Sequence, residues 1–137
     1  MPRILSLDVG EKRIGVAISD ELHITAQGLE TIQQKGKEHT LGTIRDLVEK
    51  HDVNKIIVGM PLNMNGTKGQ RAKATESFIS ALKKKFTIPI ETIDERLSTA
   101  QGERLLIEAD VSRKKRKASL DKIAAQLILQ TYLDSKA

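Results

Sequence analysis

Cysteine and tryptophan are absent from this chain of 137 residues, which has only two phenylalanines and one tyrosine. Without cysteine, the chain forms neither disulfides nor thiolate zinc sites. Scarce aromatic rings argue against readout of single-stranded nucleic acid, because that readout stacks bases on aromatic side chains. Apolar residues never run for the ~20 positions that a membrane span needs, and the N-terminus lacks the pattern of a secretory signal. We therefore expect a cytoplasmic protein with no membrane partner.

Positive charge is in excess: 23 lysines and arginines face 18 acidic residues, which gives a net charge of +5. Such a balance favours a polyanionic partner, nucleic acid above all. The densest cluster is the run Arg113, Lys114, Lys115, Arg116 and Lys117, which is open to two interpretations: contact with phosphates, or a solvated segment. Because the run lacks apolar anchors, we expect it to be mobile without substrate and to precede the last helix.

Hydrophobic periodicity predicts an α/β fold in a single domain over residues 1–137. Apolar runs within 4–18, joined around Gly10, predict a β-hairpin. Further strands are predicted over 24–32, 55–59 and 88–93, and helices over 37–51, 69–86, 98–109 and 119–134. This order, β-β-β-α-β-α-β-α-α, predicts a mixed five-stranded sheet flanked by helices, in which helical crossovers place the last two strands parallel to the first.

One residue of the first predicted strand does not fit a purely apolar core. Asp8 is surrounded by isoleucine, leucine and valine, and burial of a carboxylate costs several kcal/mol unless a cation compensates it. A buried arginine or lysine is one compensating group, and a metal ion is another. In sheets of this kind, ligands bind beyond the carboxyl ends of the parallel strands, which is where Asp8 is expected to lie.

Other carboxylates are predicted near the same edge: Asp94 and Glu95 at the end of the fifth strand, and Asp121 in the first turn of the last helix. Taken alone, Asp121 suits the helix dipole, and the strand-end acids suit a pair with Arg96. Asp94 and Glu95 are adjacent, so their side chains point to opposite faces and only one readily joins Asp8. The alternation of side chains along the strand does not decide which of the two acids joins Asp8, because the backbone is expected to turn near Asp94.

Three carboxylates without cysteine or a histidine cluster describe an oxygen-ligand site for Mg²⁺ or Mn²⁺. Two such ions ~4 Å apart activate a water and stabilise the leaving oxygen of a phosphodiester. Charge and chemistry together predict hydrolysis of structured or duplex nucleic acid. The candidate contacts to nucleic acid are Lys12, Arg13, Asn63, Arg96 and the basic run over 113–117.

Four motifs strengthen this interpretation: LDVGEKRIGVAISD, IIVGMPLNMNG, DERLST and the terminal LDKIAAQLILQTYL. In this order over residues 3–134, they resemble the YqgF/RuvX family, the Holliday-junction-resolvase-like nucleases of bacteria. The resemblance implies a ribonuclease-H-like fold and a nuclease that matures the 5′ end of the 16S rRNA precursor, with branched DNA as the other substrate. It also implies that Asp8, Glu95 and Asp121 are the catalytic, metal-binding acids, and it leaves the chemical role of the motif around Gly59 open.

Two other classes compete with a nuclease. The D-x-G motif also opens the ATP-binding lobe of actin-like and sugar-kinase folds, but that class needs two lobes, for which 137 residues are too few. A binding module that holds nucleic acid without cleaving it is the second. The sequence does not choose between RNA and branched DNA, between internal cuts and trimming, or between a monomer and a homodimer.

Overall fold

The structure is a computed structural model that describes residues 2–63, 65–95 and 113–136, with the side chains of the last segment described from Ile123 onward. The strands of this part are β1 (Arg3–Val9), β2 (Arg13–Ser19), β3 (Ala26–Gln33), β4 (Val53–Met60) and β5 (Ile90–Asp94). Its helices are α1 (Lys37–Lys50), α2 (Gln70–Lys85) and α3 (Arg113–Lys136). The predicted mixed α/β fold is confirmed, whereas the helix predicted over 98–109 lies outside the described residues.

The strands form a five-stranded sheet in the order β3-β2-β1-β4-β5. Pairing is antiparallel along β1, β2 and β3, and parallel along β1, β4 and β5. The predicted meander and helical crossovers are therefore confirmed. The carboxyl ends of β1, β4 and β5 meet at one edge of the sheet, here called the carboxyl edge.

Side-chain alternation divides the sheet into two apolar cores. Leu5 and Leu7 of β1 join the core that α1 and α2 cover, to which Ile44 and Leu82 contribute. Ile4 faces the opposite core, which is made with α3. Residues of β1 with even numbers, Asp8 among them, thus share the face that α3 covers.

The position of α3 is defined by hydrogen bonds to the sheet. Near the middle of β1, the buried Ser6 hydroxyl donates to the carbonyl of Ala125 at 2.7 Å. Towards the helix C-terminus, the Lys55 ammonium donates to the Tyr132 hydroxyl at 2.9 Å, and Lys55 pairs in register with Ile4. The C-terminal part of α3 therefore lies at the start of β1, and its N-terminal part runs towards the carboxyl edge.

The start of α3 differs from the prediction. The helix begins at Arg113 and not at residue 119, so the basic run over 113–117 has a helical backbone. The predicted helix start at residue 119 is wrong, because arginine, lysine and alanine are strong helix formers and no glycine or proline interrupts 113–136. None of the helices in the described part of the chain combines the length and the apolar character needed to span a membrane.

Candidate active site

Asp8 and Glu95 lie together at the carboxyl edge although β4 separates their strands. Asp8 ends the buried part of β1 and is 8% exposed, and Glu95 directly follows β5 and is 7% exposed. Their carboxyl groups are hydrogen-bonded to each other. Two buried carboxyl groups in contact are unusual, since each disfavours the charged form of the other.

Glu95 reaches Asp8 because the residue between them is glycine. A Cβ at Gly59 of β4 would lie 2.7 Å from Cγ of Glu95 and 2.6 Å from Cδ1 of Ile128 on α3. Real Cβ atoms essentially never approach other heavy atoms so closely. Gly59 thus lets a strand-end side chain and a helix side chain meet over the backbone of β4, and the structure gives a packing role to the motif that sequence left unexplained.

Strand parity separates Asp94 from Glu95. Glu91 accepts a hydrogen bond from Tyr132 of α3, and Ile93 packs in the same core, so odd-numbered residues of β5 face α3. Glu95 continues this alternation towards Asp8. Asp94 pairs in register with Met60, whose side chain packs in the opposite core.

Burial and the neighbouring carboxylate shift the pKa of Glu95. Desolvation, and then the hydrogen bond and charge of Asp8, raise the pKa of Glu95 from 4.5 to about 9. The positive charge of Arg71 opposes this rise. At neutral pH without a cation, the pair therefore holds a proton, which Glu95 donates to Asp8 in a hydrogen bond.

A divalent cation fits the donors that the pair presents. Oδ1 of Asp8 is buried and accepts no hydrogen bond within the described residues. A carboxylate oxygen of this kind is a ligand that Mg²⁺ and Mn²⁺ prefer, and a cation in place of the shared proton would compensate both carboxylates. Among the described side chains, no group of three or more histidine or acidic residues could hold a metal ion.

The third predicted ligand, Asp121, is described by its backbone alone. It lies on α3 four residues before Ala125, which accepts the hydrogen bond of Ser6, and Asp8 lies two residues beyond Ser6 on β1. These offsets correspond to about 6 Å along the helix and about 6.6 Å along the strand, both towards the carboxyl edge. The backbone of Asp121 is therefore level with Asp8 on the face that α3 covers.

The predicted contacts to nucleic acid are distributed along the same edge where they are described. Lys12 is exposed in the turn between β1 and β2, and Arg13 is half-buried at the start of β2. Asn63 is exposed in the loop after β4, where its side-chain amide donates to the Thr67 hydroxyl at 3.0 Å and so stabilises the loop. Arg96 and the side chains over 113–117 lie outside the described part.

Arg71 is a residue of this site that the sequence analysis missed. It occupies the first turn of α2, and its Nη2 lies 3.5 Å from the carbonyl oxygen of Val9, the neighbour of Asp8. A signal was available, because a cation in the first turn of a helix opposes the helix dipole and so calls for another explanation. The sequence separation of 62 residues between Arg71 and Val9 hid the contact.

Comparison with known proteins identifies the family of this chain. The sequence profile of the family described as "RuvX: Holliday junction resolvase" matches residues 2–135. A Halothermothrix orenii protein named "Putative pre-16S rRNA nuclease" is 56% identical over 132 residues, which cover 96% of this chain and 94% of that protein. The resemblance inferred from the four motifs is thereby confirmed.

Two solved structures share the fold at low sequence identity. T. thermophilus RuvC in complex with Holliday junction substrate aligns with a TM-score of 0.56 and 13% identity, covering 99% of this chain and 96% of that chain. The fowlpox virus Holliday junction resolvase aligns with a TM-score of 0.57 and 18% identity, covering 97% and 99%. These similarities confirm the ribonuclease-H-like fold.

The raised pKa of Glu95 predicts how stability depends on pH in a metal-free sample. Between its ordinary value of 4.5 and about 9, the folded chain binds a proton that the unfolded chain releases. The free energy of unfolding should therefore fall as pH rises through this window, by at most about 1.4 kcal/mol per pH unit. Denaturant unfolding with EDTA at several pH values should show this fall in wild type and a flatter profile in Glu95→Gln. Parallel profiles would contradict the assignment.

The packing around Gly59 predicts a second result. In Gly59→Ala the new methyl group should displace Glu95 and Ile128, lower the free energy of unfolding by about 1–3 kcal/mol, and flatten the same pH profile. Adding Ile128→Val removes the conflicting Cδ1 atom, so the double variant should regain stability while its pH profile stays flat. Recovery of both properties would show that Gly59 serves helix packing alone.

Proposed function

This chain belongs to the RuvX family, and from that premise we propose that it hydrolyses phosphodiester bonds in the precursor of 16S rRNA with the help of divalent cations. The chain is a nuclease. The observation that carries the proposed chemistry is the buried contact between Asp8 and Glu95 at the carboxyl edge.

The proposed ligands are Asp8, Glu95 and Asp121, and the proposed cations are Mg²⁺ or Mn²⁺. A bound pair of such ions supplies Lewis acidity at phosphoryl oxygens and lowers the pKa of a bound water. Asp8 and Glu95 supply negative charge from a site largely closed to solvent. Gly59 makes the approach of Glu95 possible, and the backbone position of Asp121 level with Asp8 supports its inclusion.

The choice of RNA rests on sequence similarity. The relative at 56% identity carries a pre-16S rRNA nuclease name, whereas the solved resolvases are below 20% identical and support the fold alone. A cytoplasmic location follows from this proposed substrate. Branched DNA is the second candidate, favoured by the description of the family profile, and it belongs in the same assay.

Contacts to the flanking backbone are proposed for Lys12, Arg13, Asn63, Arg96 and the basic run. The run begins α3, so residues 113–117 lie four to eight residues before Asp121 on one continuous helix. At 1.5 Å per residue, this places them about 6–12 Å beyond Asp121 along the helix axis. A run of cations at this distance suits phosphates on either side of the one that is cleaved.

Substitution at the paired carboxylates tests the proposed site. Glu95→Gln and Asp8→Asn should each lower the metal-dependent cleavage rate by at least about 100-fold, since each removes a charge that holds the cations. The matched control is Asp94→Asn, which removes the adjacent charge on the other face and should have a much smaller effect. The assay compares a 5′-extended 16S rRNA segment with a four-way DNA junction, each with Mg²⁺, Mn²⁺ or EDTA.

The stability of these variants adds an independent readout. Asp8→Asn should leave the free energy of unfolding in EDTA unchanged or higher, because a buried carboxylate that no cation compensates is removed. A marked loss of stability would indicate a structural ion pair. A larger loss of activity in Asp94→Asn than in Glu95→Gln would overturn the ligand assignment. Light scattering on the same samples would show whether the chain is a monomer or a homodimer.

The basic run is tested by a matched pair of triple variants. Lys114→Ala/Lys115→Ala/Lys117→Ala should weaken binding of duplex RNA and reduce the dependence of affinity on salt, because alanine keeps the helix while removing phosphate contacts. The control is Lys83→Ala/Lys84→Ala/Lys85→Ala at the far end of α2, which removes the same charge. Equal effects of the two variants would reduce the role of the run to net charge.

A further inference from the structure

The start of α2 forms the wall of the active site opposite to α3. The loop between β4 and α2 is closed by short-range hydrogen bonds: Asn63 N–H donates to the Thr67 carbonyl at 2.9 Å, and the Thr67 hydroxyl donates to Asn65 at 2.7 Å. A Cβ at Gly69 would lie 3.1 Å from Oδ1 of Asn63. The loop therefore holds the first turn of α2 in a defined position at the carboxyl edge.

This first turn attracts negative charge. The N-cap residue Gly69 provides no side-chain hydrogen bond, and the first turn contains no acidic residue. Its free N–H groups and the helix dipole thus add positive potential next to Arg71. An arginine at this position is unfavourable for the helix itself, so helix stability does not account for it.

Arg71 keeps its charge available. Its guanidinium is exposed and, within the described residues, forms no ion pair, whereas the preceding cation Lys68 pairs with Glu76 at 3.2 Å. Its contact with the Val9 carbonyl is long, at 3.5 Å, and uses one of five N–H donors. That contact holds the guanidinium at the end of β1 and leaves its other N–H donors available to a ligand.

The position relative to the carboxylates suggests what Arg71 binds. The guanidinium contacts the carbonyl of Val9, the residue after Asp8, and Oδ1 of Asp8 is buried without a hydrogen-bond partner in the described part. The carboxylates that could bind cations therefore lie near the positively charged guanidinium of Arg71. A phosphodiester group has oxygens for both: some would bind cations held by the carboxylates, and others match the paired donors of arginine.

We propose that Arg71 is a substrate-binding residue that holds the phosphodiester group beside Asp8 and Glu95. This inference rests on the proposed nuclease function and deepens it by naming a direct phosphate contact on α2. The contact is to the backbone, so it applies equally to RNA and DNA and carries no sequence preference.

The test measures binding and cleavage separately. Binding of a fluorescein-labelled RNA duplex is followed by anisotropy in EDTA at several salt concentrations, for wild type, Arg71→Ala, Arg71→Lys and the control Lys73→Ala. Arg71→Ala should weaken binding about tenfold and reduce the slope of log affinity against log salt by about one. Arg71→Lys should restore the slope but only part of the affinity, because lysine keeps the charge without the fork.

Lys73→Ala removes an exposed charge two residues away on the same helix, and it should stay within about twofold of wild type. Cleavage with Mg²⁺ should fall at least about tenfold in Arg71→Ala while the thermal midpoint stays near that of wild type. Unchanged affinity and salt slope in Arg71→Ala, or an equal effect of Lys73→Ala, would overturn the inference. Absence of cleavage in wild type would instead refute the proposed function, and the binding data obtained in EDTA would still decide the role of Arg71.

Discussion

Two carboxyl groups buried against each other are the constraint on which the rest of this structure depends. Asp8 and Glu95 are removed from water within an apolar sheet, and this burial, followed by the contact with Asp8, raises the pKa of Glu95 to about 9. The arrangement costs stability in the absence of a cation, because at least one carboxyl group must hold a proton that it would release in water. The surrounding architecture keeps this unfavourable pair in place.

Two apolar cores hold the pair of carboxyl groups in place despite this loss of stability. The core with α1 and α2 anchors one face of β1, and the core with α3 covers the other. At Gly59 there is no side chain to displace Glu95 from its position over β4. Close packing on both faces therefore fixes the strand ends that carry the two carboxyl groups.

A comparison of Glu91 in β5 with Glu95 directly after it shows how position selects the role of a carboxylate. Glu91 and Glu95 share the face towards α3. Glu91 lies 2.9 Å from the Lys55 ammonium and accepts a hydrogen bond from Tyr132, and these contacts lower its pKa. Glu95 lies against a second carboxyl group, and its pKa is raised. The first glutamate ties the C-terminal part of α3 to the sheet, and the second is the one that we propose as a cation ligand.

Sequence by itself determined the features that depend on local pattern. Apolar periodicity predicted the strands, the order of elements and the mixed sheet, because burial of each element imposes its own spacing on the chain. The unusual position of Asp8 and the four motifs could also be recognised in the sequence alone. A carboxylate within an apolar run and a family motif are both local patterns of residues. The start of α3 was misplaced because charge density was given more weight than the helix propensity of lysine and arginine.

Tertiary structure decided the features that depend on which surfaces meet. The side of β5 that faces α3 distinguishes Glu95 from Asp94. Adjacent residues of a strand point to opposite faces, but the sequence does not show which face packs against α3. The role of Gly59 requires a strand, a helix and a strand end at one point, and the approach of Arg71 to Val9 joins positions 62 residues apart. Local pattern specifies the elements of a fold, but the contacts of an active site arise from long-range packing, which the chain acquires only when it folds.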